Sequence, residues 1–392
     1  MPFIAPFSTA RLPRIIFGDG AIDATPSEAR AYGPRALVVT GRRSLRGLPV
    51  WQSLNEALSI HKVVVEDEPS PDLVDAAVAR FRESGIDVVI GMGGGSALDA
   101  AKAIAGLIPT GNSVMDHLEG VGRGIAYEGP SLPFIAVPST AGTGTEATKN
   151  AVLSSRGVAG FKKSFRDDRL IAQLAIVDPH LLQTCPKHLI AANGMDALTQ
   201  LLEGYVSPRA SAATDALAWS GLEAFVRGFF AAWEEAGQSS PRAAAGRADT
   251  AYASLMSGIT LAQTGLGSVH ALASPLGAFF PAPHGVVCGT LVAAATEINI
   301  RALMERDPEN VALEKYARAG RLLSGRSADG LSALVAMLDE WTERMEIARL
   351  GEFGMTGDDV GKVVTASNPG GMKSNPLILT SEEVTELVER RL

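Results

Sequence analysis

The sequence predicts an α/β domain with a Rossmann-like parallel sheet (residues 1–186), followed by an all-helical domain (residues 187–392). In the first half, short runs of β-branched residues alternate with stretches of helical spacing. Beyond Pro186 the chain is rich in Ala and Leu, and strand candidates are few. At 392 residues the chain is long enough for two hydrophobic cores.

Five segments of the first domain are predicted strands: residues 35–41, 61–67, 86–95, 132–140 and 173–179. Between them, "DLVDAAVARFRES" and "SALDAAKAIAGLI" place apolar residues at helical spacing, which predicts helices on both faces of the sheet. The second domain shows long helical periods, and its polar segment "EAGQSSPRAAAGR" is interpreted as a break between helices.

Composition favours a small-molecule partner. The chain has 35 Lys and Arg against 43 Asp and Glu and no basic cluster, which argues against nucleic acid. We expect no membrane partner, because no apolar run approaches ~20 residues and the start lacks a signal-peptide pattern. The two cysteines, Cys185 and Cys288, show no metal-ligand spacing, which favours a reducing cytoplasm.

A glycine-rich turn, "GMGGGSALDAAK", directly follows the predicted strand "DVVI". Gly93, Gly94 and Gly95 leave bare backbone that a pyrophosphate can approach. Ser96 is predicted to cap the helix that opens there, and the amides of a helix N-terminus favour an anion. Such turns also occur without a phosphate, so this motif alone leaves both interpretations open.

A second loop of small residues, "PSTAGTGTE", follows another predicted strand. Thr140 and Thr143 supply hydroxyl groups, and Gly142 and Gly144 allow close approach. Two such loops at the carboxyl ends of parallel strands are typical of nucleotide sites in doubly wound sheets. The pair therefore favours a dinucleotide cofactor.

Four segments, GGGSxxDxAK, "PSTAGTGTE", "GMDALTQ" and "VHALASPLGAFFPAPHG", occur in this order across nearly the whole chain. Together they resemble the iron-containing, group III alcohol dehydrogenases, whose superfamily includes glycerol dehydrogenases and maleylacetate reductases. The resemblance implies NAD(P)-dependent interconversion of an alcohol and an aldehyde or ketone, in a cleft between a dinucleotide domain and a helical metal and substrate domain. We also expect a homo-oligomer.

Carried over by position, the resemblance implies cofactor contacts at Gly94, Gly95, Ser96, Thr140, Thr143, Asn150 and Lys163. Asp99 and Lys102, in the first motif, either organise the helix or form a solvated or paired face. Arg166 and Arg169, in "KKSFRDDR", are predicted to lie in a surface loop, because acids adjoin them.

The end of the strand "ALVVTG" bears on cofactor choice. NAD-preferring members of the family commonly carry an acid there, whereas this chain has Gly41, followed by Arg42 and Arg43, with Arg46 nearby. Guanidinium groups without a carboxylate suit a 2′-phosphate, which favours NADP. The alternative is that these arginines are merely exposed to solvent and that the cofactor is NAD.

The family's metal ligands are an Asp, a His four residues later, and two further histidines. Asp196, His270 and His284 match this set by position, and Gln200 replaces the fourth ligand. A glutamine oxygen is a weaker donor than imidazole for Fe²⁺ or Zn²⁺, although it could ligate or hold a ligand water. The resemblance predicts a retained but weakened site. The alternative is a metal-free site like that of the maleylacetate reductases.

The family often carries another histidine four residues after the first of this pair, near the nicotinamide. Here that position is Ser274. A serine can pass a proton but cannot buffer one near neutral pH. We therefore expect the proton to travel through Ser274, water or the ribose hydroxyl, with His270 and His284 as the catalytic histidines.

The predicted activity is a metal-assisted alcohol dehydrogenase or aldehyde reductase. One alternative is a metal-independent reductase of an oxo-acid, in which His270 or His284 contacts the substrate. Another is a nucleotide-binding relative without catalytic activity.

Overall fold

Eight strands are present in the computed structural model, which describes residues 4–44, 47–155, 160–325, 329–368 and 372–392. The strands are β1 (Arg14–Phe17), β2 (Arg35–Gly41), β3 (Ser59–Val65), β4 (Val88–Gly93), β5 (Phe134–Pro138), β6 (Asn150–Ser155), β7 (Phe161–Arg166) and β8 (Leu174–Val177). The first four helices are α1 (Thr25–Arg30), α2 (Val50–Ala57), α3 (Pro71–Phe81) and α4 (Gly95–Leu107).

Six of the strands form one parallel sheet in the order β1-β8-β5-β4-β2-β3. Its central strands are apolar and buried because helices cover both faces, which confirms the predicted fold class. The chain runs from β2 outward to β3 and then returns to β4 on the other side of β2, so the strand order reverses there. Gly41 ends β2 and Gly93 ends β4 at this switch point.

Sequence reasoning identified five of the six strands in this sheet and missed three strands in all. One is β1, a four-residue edge strand. The others, β6 and β7, form an antiparallel hairpin outside the sheet. The prediction of a surface loop was wrong for Arg166, which ends β7. This segment forms a strand because the preceding residue, Phe165, is buried in the core. Arg169 lies in the short 3-10 turn that follows.

The helix after the glycine turn begins one residue earlier than predicted. Gly94 is the N-cap in an extended conformation, and α4 starts at Gly95. Ser96 therefore lies inside the first turn, and no side chain caps this end. The predicted capping role of Ser96 is wrong, while the backbone amides of the first turn stay uncovered by a capping side chain.

Helix α4 presents Lys102 to the interior, where it is fully buried. Its Nζ donates to the carbonyl oxygens of Thr145 and Asn150, at 2.8 and 2.7 Å, and to Thr148 Oγ1 at 3.1 Å. Burial lowers the pKa of Lys102 to about 8, although Asp99 and Glu146 oppose that shift. Thr145 donates in turn to the buried Asp99 carboxylate. The alternative of a solvated face was wrong: this pair fixes the second glycine loop against α4.

The rest of the described chain is helical, as predicted. The helices are α5 (Lys187–Val206), α6 (Ala212–Glu234), α7 (Pro241–Thr264), α8 (Ser268–Phe279), α9 (His284–Arg306), α10 (Val311–Ser324), α11 (Gly330–Arg344), α12 (Val360–Ser367) and α13 (Ser381–Glu389). Helix α9 has the length and hydropathy of a membrane span, but 83% of its apolar window is buried, as in a core helix. Helix α5 begins directly after Pro186. The division at that residue stays a prediction.

The second glycine loop also contacts the helical half through bare backbone. A Cβ added to Gly144 would lie 2.3 Å from the Cα of Gly258 in α7, and one added to Gly142 would lie 2.8 Å from the Cβ of Asn193 in α5. Gly144 has a positive φ of 59°, which glycine adopts without strain. The two halves meet here without an intervening side chain.

Candidate active site

Three helices bring together a compact group of donor atoms. Asp196 lies on α5, His270 on α8, and His284 and Cys288 on α9, with one donor atom from each within 4.8 Å of the others. Asp196 Oδ1 is 3.1 Å from His270 Nε2 and 3.8 Å from His284 Nε2. The structure thus assembles the Asp and the two histidines that the sequence pattern singled out.

Cys288 is a member of this group that sequence reasoning missed. Its Sγ lies 3.7 Å from His270 Nε2 and 3.8 Å from His284 Nε2. The usable signal was its position four residues after His284, which places both on one face of α9.

Gln200 is buried beside this group, one helical turn after Asp196. Its Nε2 donates to Asp196 Oδ1 at 2.9 Å, and its Oε1 accepts a hydrogen bond from Ser257 Oγ at 2.7 Å. The ionised carboxylate only accepts hydrogen bonds, which orients the amide with its nitrogen toward Asp196. Both ends of the amide are engaged, so the structure gives Gln200 a supporting position. Its role as a ligand stays a prediction.

Glu203, a second residue missed from the sequence, orients His270. Its carboxylate accepts hydrogen bonds from His270 Nδ1 at 2.7 Å and from the backbone amide of Val269 at 2.8 Å. Because Nδ1 donates to this carboxylate, His270 presents Nε2 to Asp196. The sequence spacing along α5 indicates this role, because Glu203 lies seven residues after Asp196 and therefore on the same helix face.

The neighbouring charges and burial shift the pKa values of the donor residues in different directions. Burial alone would raise the pKa of Asp196, but His284, His270 and Gln200 hold it below its usual value. Burial alone would lower the pKa of His270, yet its charged and hydrogen-bonding neighbours raise it well above that of a free histidine. Burial raises the pKa of Cys288 to about 12, so at neutral pH it is a thiol. The carboxylates of Glu203 and Asp196, which face Nδ1 and Nε2 of His270, favour the protonated form of this ring.

His284 differs from His270. Its pKa is lowered to about 4, mainly by burial and despite the attraction of Asp196. Its Nδ1 is buried and has no hydrogen-bond partner among the described residues. A divalent metal needs an ionised carboxylate and neutral imidazoles. Asp196 and His284 meet that requirement directly, and a cation could replace the proton on His270 Nε2, so these residues fit a divalent metal.

Hairpin β6–β7 adds an ion pair to the edge of this site. Lys162 Nζ lies 2.6 Å from Glu68 Oε1, and both groups act electrostatically on His284. Sequence reasoning selected the next residue, Lys163, whose side chain is exposed. Ser274 Oγ donates to the backbone carbonyl of Lys162 at 2.9 Å, which holds α8 against the hairpin. The Ser274 hydroxyl hydrogen is engaged in this bond. The role of Ser274 in proton transfer stays a prediction.

The predicted cofactor loops adjoin each other at the switch point of the sheet. Cβ atoms added to Gly94 and Gly95 would lie 3.4 Å from Thr140 Oγ1 and 2.9 Å from Thr143 Oγ1. A Cβ added to Gly93 would lie 3.2 Å from the backbone nitrogen of Gly41. The structure thus gathers these predicted contacts, and Asn150 begins β6 nearby as the carbonyl partner of Lys102.

Arg42 follows Gly41 and pairs with Glu66, just beyond β3, at 2.9 Å. Both side chains are about 60% exposed, so the pair is weak enough for a phosphate to displace. Arg46 lies outside the described residues.

Comparisons with known proteins agree with this architecture. Residues 13–179 match the model of the iron-containing alcohol dehydrogenases, and residues 190–392 match that of the C-terminal domain of the same family. The chain is 30% identical to the probable alcohol dehydrogenase EutG of Escherichia coli over 388 residues, with coverage of 96% of this chain and 92% of that protein.

Two further similarities concern named activities. The NAD-dependent methanol dehydrogenase of Bacillus methanolicus is 28% identical over 402 residues, with coverage of 97% and 98%. The crystal structure of sulfoacetaldehyde reductase from Bifidobacterium kashiwanohense in complex with NAD⁺ has a TM-score of 0.83 at 26% identity, with 99% of each chain covered. With both family models matched in order, the chain belongs to the iron-containing alcohol dehydrogenase family.

Proposed function

We propose that the protein transfers a hydride between a nicotinamide cofactor and the carbon of an alcohol or carbonyl group, assisted by a divalent metal. The observation that carries this proposal is the convergence of Asp196, His270 and His284 beside the carboxyl edge of the parallel sheet. Glu68, which lies three residues beyond β3 at that edge, acts electrostatically on His284. This contact supports a placement of the donor group on the side of the sheet where the two glycine loops lie.

Asp196, His270 and His284 would hold the metal, with Cys288 in reach as a fourth donor. A bound divalent metal supplies a Lewis acid that polarises the substrate oxygen and stabilises a developing alkoxide. Glu203 fixes the ring and tautomer of His270, and Gln200 fixes the Asp196 carboxylate. Gly93, Gly94, Gly95 and Ser96, with Thr140 and Thr143, would hold the cofactor, together with Asn150 and Lys163.

We propose NADP as the preferred cofactor, although the methanol dehydrogenase is named as NAD-dependent and the sulfoacetaldehyde reductase structure is a complex with NAD⁺. Gly41 presents no carboxylate at the end of β2, and Arg42 can exchange its exposed pair with Glu66 for a 2′-phosphate. A cytoplasmic location and a homo-oligomeric state also remain proposals.

One observation favours a second candidate, a metal-independent reductase of an oxo-acid. Glu203 and Asp196 face the two ring nitrogens of His270 and favour a protonated ring, which could donate a hydrogen bond to a carbonyl oxygen. In that case His270 and His284 would contact the substrate directly.

The deciding experiment combines metal analysis with turnover. Protein purified without chelator should contain iron or zinc, and it should reduce aldehydes with NADPH faster than with NADH. Removal of the metal should abolish turnover, and its return should restore it. Full activity in metal-free protein would select the oxo-acid reductase. Absence of turnover with every aldehyde and oxo-acid would select a non-catalytic relative.

A further inference from the structure

A cleft of about 370 Å³ opens beside His270 in the helical half of the protein. His270 and Ala271 line it from α8, Gly267 and Leu266 from the turn before that helix, and Arg209 from the turn after α5. The other lining residues are Ser367, Asn368, Met372, Lys373 and Ser374. By volume the cleft corresponds to about a dozen water molecules, which suits a short organic molecule.

Two cations in this cleft have no counter-charge. Arg209 and Lys373 both line it and are exposed, and neither side chain makes an ion pair or a hydrogen bond with any residue that the structure describes. Only the Arg209 backbone amide is bonded, to Ser207 Oγ. None of the described lining residues is an acid. In a chain with a net charge of −8, this is a local reversal of sign.

The nearest acid identified around the cleft is already engaged. A Cβ added to Gly267 would lie 3.0 Å from Glu203 Oε1, so Glu203 stands behind that wall. Its carboxylate accepts bonds from His270 and Val269. Glu203 therefore does not neutralise Arg209 or Lys373 through a direct contact. A bound anion can pair with these two cations instead.

The remaining walls are mixed. Leu266, Ala271 and Met372 are apolar, while Ser374 and Asn368 are polar. A cleft that combines apolar walls with His270, Arg209 and Lys373 suits a short chain with one charged terminus. A simple alkyl alcohol would make no charged contact with either cation.

We propose that the substrate is a short aldehyde or ketone, or the corresponding alcohol, that carries an anionic group: a carboxylate, sulfonate or phosphonate. The carbonyl lies toward His270, and the anion is bound by Arg209 and Lys373. This inference rests on the proposed function for its chemistry, but its charge selectivity is a separate property of the cleft.

The test compares matched aldehydes. Succinate semialdehyde, sulfoacetaldehyde and phosphonoacetaldehyde represent the three anionic groups, and butanal and propanal are the neutral counterparts. We expect kcat/KM to be at least tenfold higher for one or more of the anionic aldehydes. Arg209→Gln and Lys373→Gln should each lower kcat/KM for that aldehyde by roughly 10- to 100-fold, chiefly through KM, and leave the neutral aldehydes almost unchanged.

Arg321→Gln serves as the matched control, because Arg321 pairs with Glu314 on the exposed face of α10. It should change neither substrate class, and the KM for NADPH should stay constant in all three variants. If cofactor KM rises instead, the cations bind the dinucleotide and the inference is wrong. Equal or better turnover of neutral aldehydes by the unmodified protein would also overturn it.

Binding separates this inference from the proposed function. In the presence of NADP⁺, calorimetric titration with 4-hydroxybutyrate, 2-hydroxyethanesulfonate and 2-hydroxyethylphosphonate should detect tighter binding than with 1-butanol. This preference should be lost in Arg209→Gln. If no aldehyde is turned over but this selectivity is present, the proposed function fails and the anionic cleft stands. If turnover is present and neither kinetics nor titration shows selectivity, only the anionic cleft fails.

Discussion

Gln200 donates a hydrogen bond to the carboxylate of Asp196, its neighbour one helical turn earlier, at 2.9 Å. The family pattern places a metal-ligating histidine at this position, so the amide stands where a donor to the metal is expected. Ser257 holds the other end of the same amide. Gln200 thus orients a ligand candidate, Asp196, and this arrangement leads to the first prediction.

Gln200→His should tighten the binding of iron or zinc by roughly tenfold or more. Imidazole is a stronger ligand than an amide, and position 200 shares the Asp196 face of α5. Metal content after purification and competition against a chelator would measure the change. The effect on turnover has no fixed sign, because Ser274 already replaces the histidine of the proton path.

Two variants control this experiment. Asp196→Ala should abolish metal binding. Gln200→Met keeps a similar volume but removes the hydrogen-bond donor to Asp196, and it should lower the affinity for the metal by roughly tenfold. If the unmodified protein is fully active without metal and Gln200→His neither binds metal nor alters activity, the metal proposal fails.

Cys288 should ligate the metal as a thiolate, despite a pKa raised by burial to about 12, because metal binding deprotonates a coordinating thiol. Cobalt-substituted protein should then show a thiolate-to-cobalt absorption band in the near ultraviolet. The band should vanish in Cys288→Ala and persist in Cys185→Ala, since Cys185 is buried elsewhere in the core. Bound cobalt without this band would remove Cys288 from the ligand set.

Gly95→Val should raise the KM for the cofactor far more than the KM for the alcohol. A Cβ at this position lies 2.9 Å from Thr143 Oγ1, so a branched side chain closes the gap between the two glycine loops. Steady-state kinetics with each substrate varied in turn would show the split. An unchanged cofactor KM in Gly95→Val would contradict the assignment of the phosphate loop.

Gly41→Asp should shift the preference from NADPH toward NADH. A carboxylate at the end of β2 repels a 2′-phosphate and accepts hydrogen bonds from the ribose. The shift should be tenfold or more in the ratio of kcat/KM values, about 1.4 kcal/mol. Gly41→Asn provides a control that keeps the size without the charge. Unmodified protein that already prefers NADH by tenfold would refute the proposed cofactor.

Lys102→Met should lower the free energy of unfolding by about 3 kcal/mol or more. It leaves buried acceptors at Thr145, Thr148 and Asn150 without their donor. Urea unfolding would measure this loss, and the KM for the cofactor should rise because the second glycine loop loses its support. Lys149→Met removes only an exposed pair with Asp168 and should cost less than about 0.5 kcal/mol. Equal effects in the two variants would contradict the structural role of Lys102.

The sheet strands could be predicted where apolar runs are continuous, because strands buried between two helical layers carry that pattern on both faces. Strand β1 escaped because it is an edge strand of four residues, too short for a periodic signal. Hairpin β6–β7 escaped because β6 is half polar and three of the six residues of β7 are charged. In both cases the strand is defined by the partner it pairs with rather than by its own composition.

The site shows a similar limit. Asp196, His270 and His284 could be selected because a family pattern exists for them. Glu203, Cys288 and Lys162 could not, because their importance comes from the atoms that they face. Spacing along α5 and α9 would have suggested the first two, but only coordinates show that Glu203 contacts His270 Nδ1.

In the proposed hydride transfer, the backbone contact between Gly144 and Gly258 sets the distance between the cofactor and the substrate. Hydride transfer between the halves depends on the gap between a cofactor held by one and a substrate held by the other, and an error of 1 Å can cost about a hundredfold in rate. Here that gap is fixed where main chain touches main chain. In the proposed reaction, a single methyl group at Gly258→Ala would press on the backbone oxygen of Gly144, at 2.3 Å, and would separate the cofactor from the substrate.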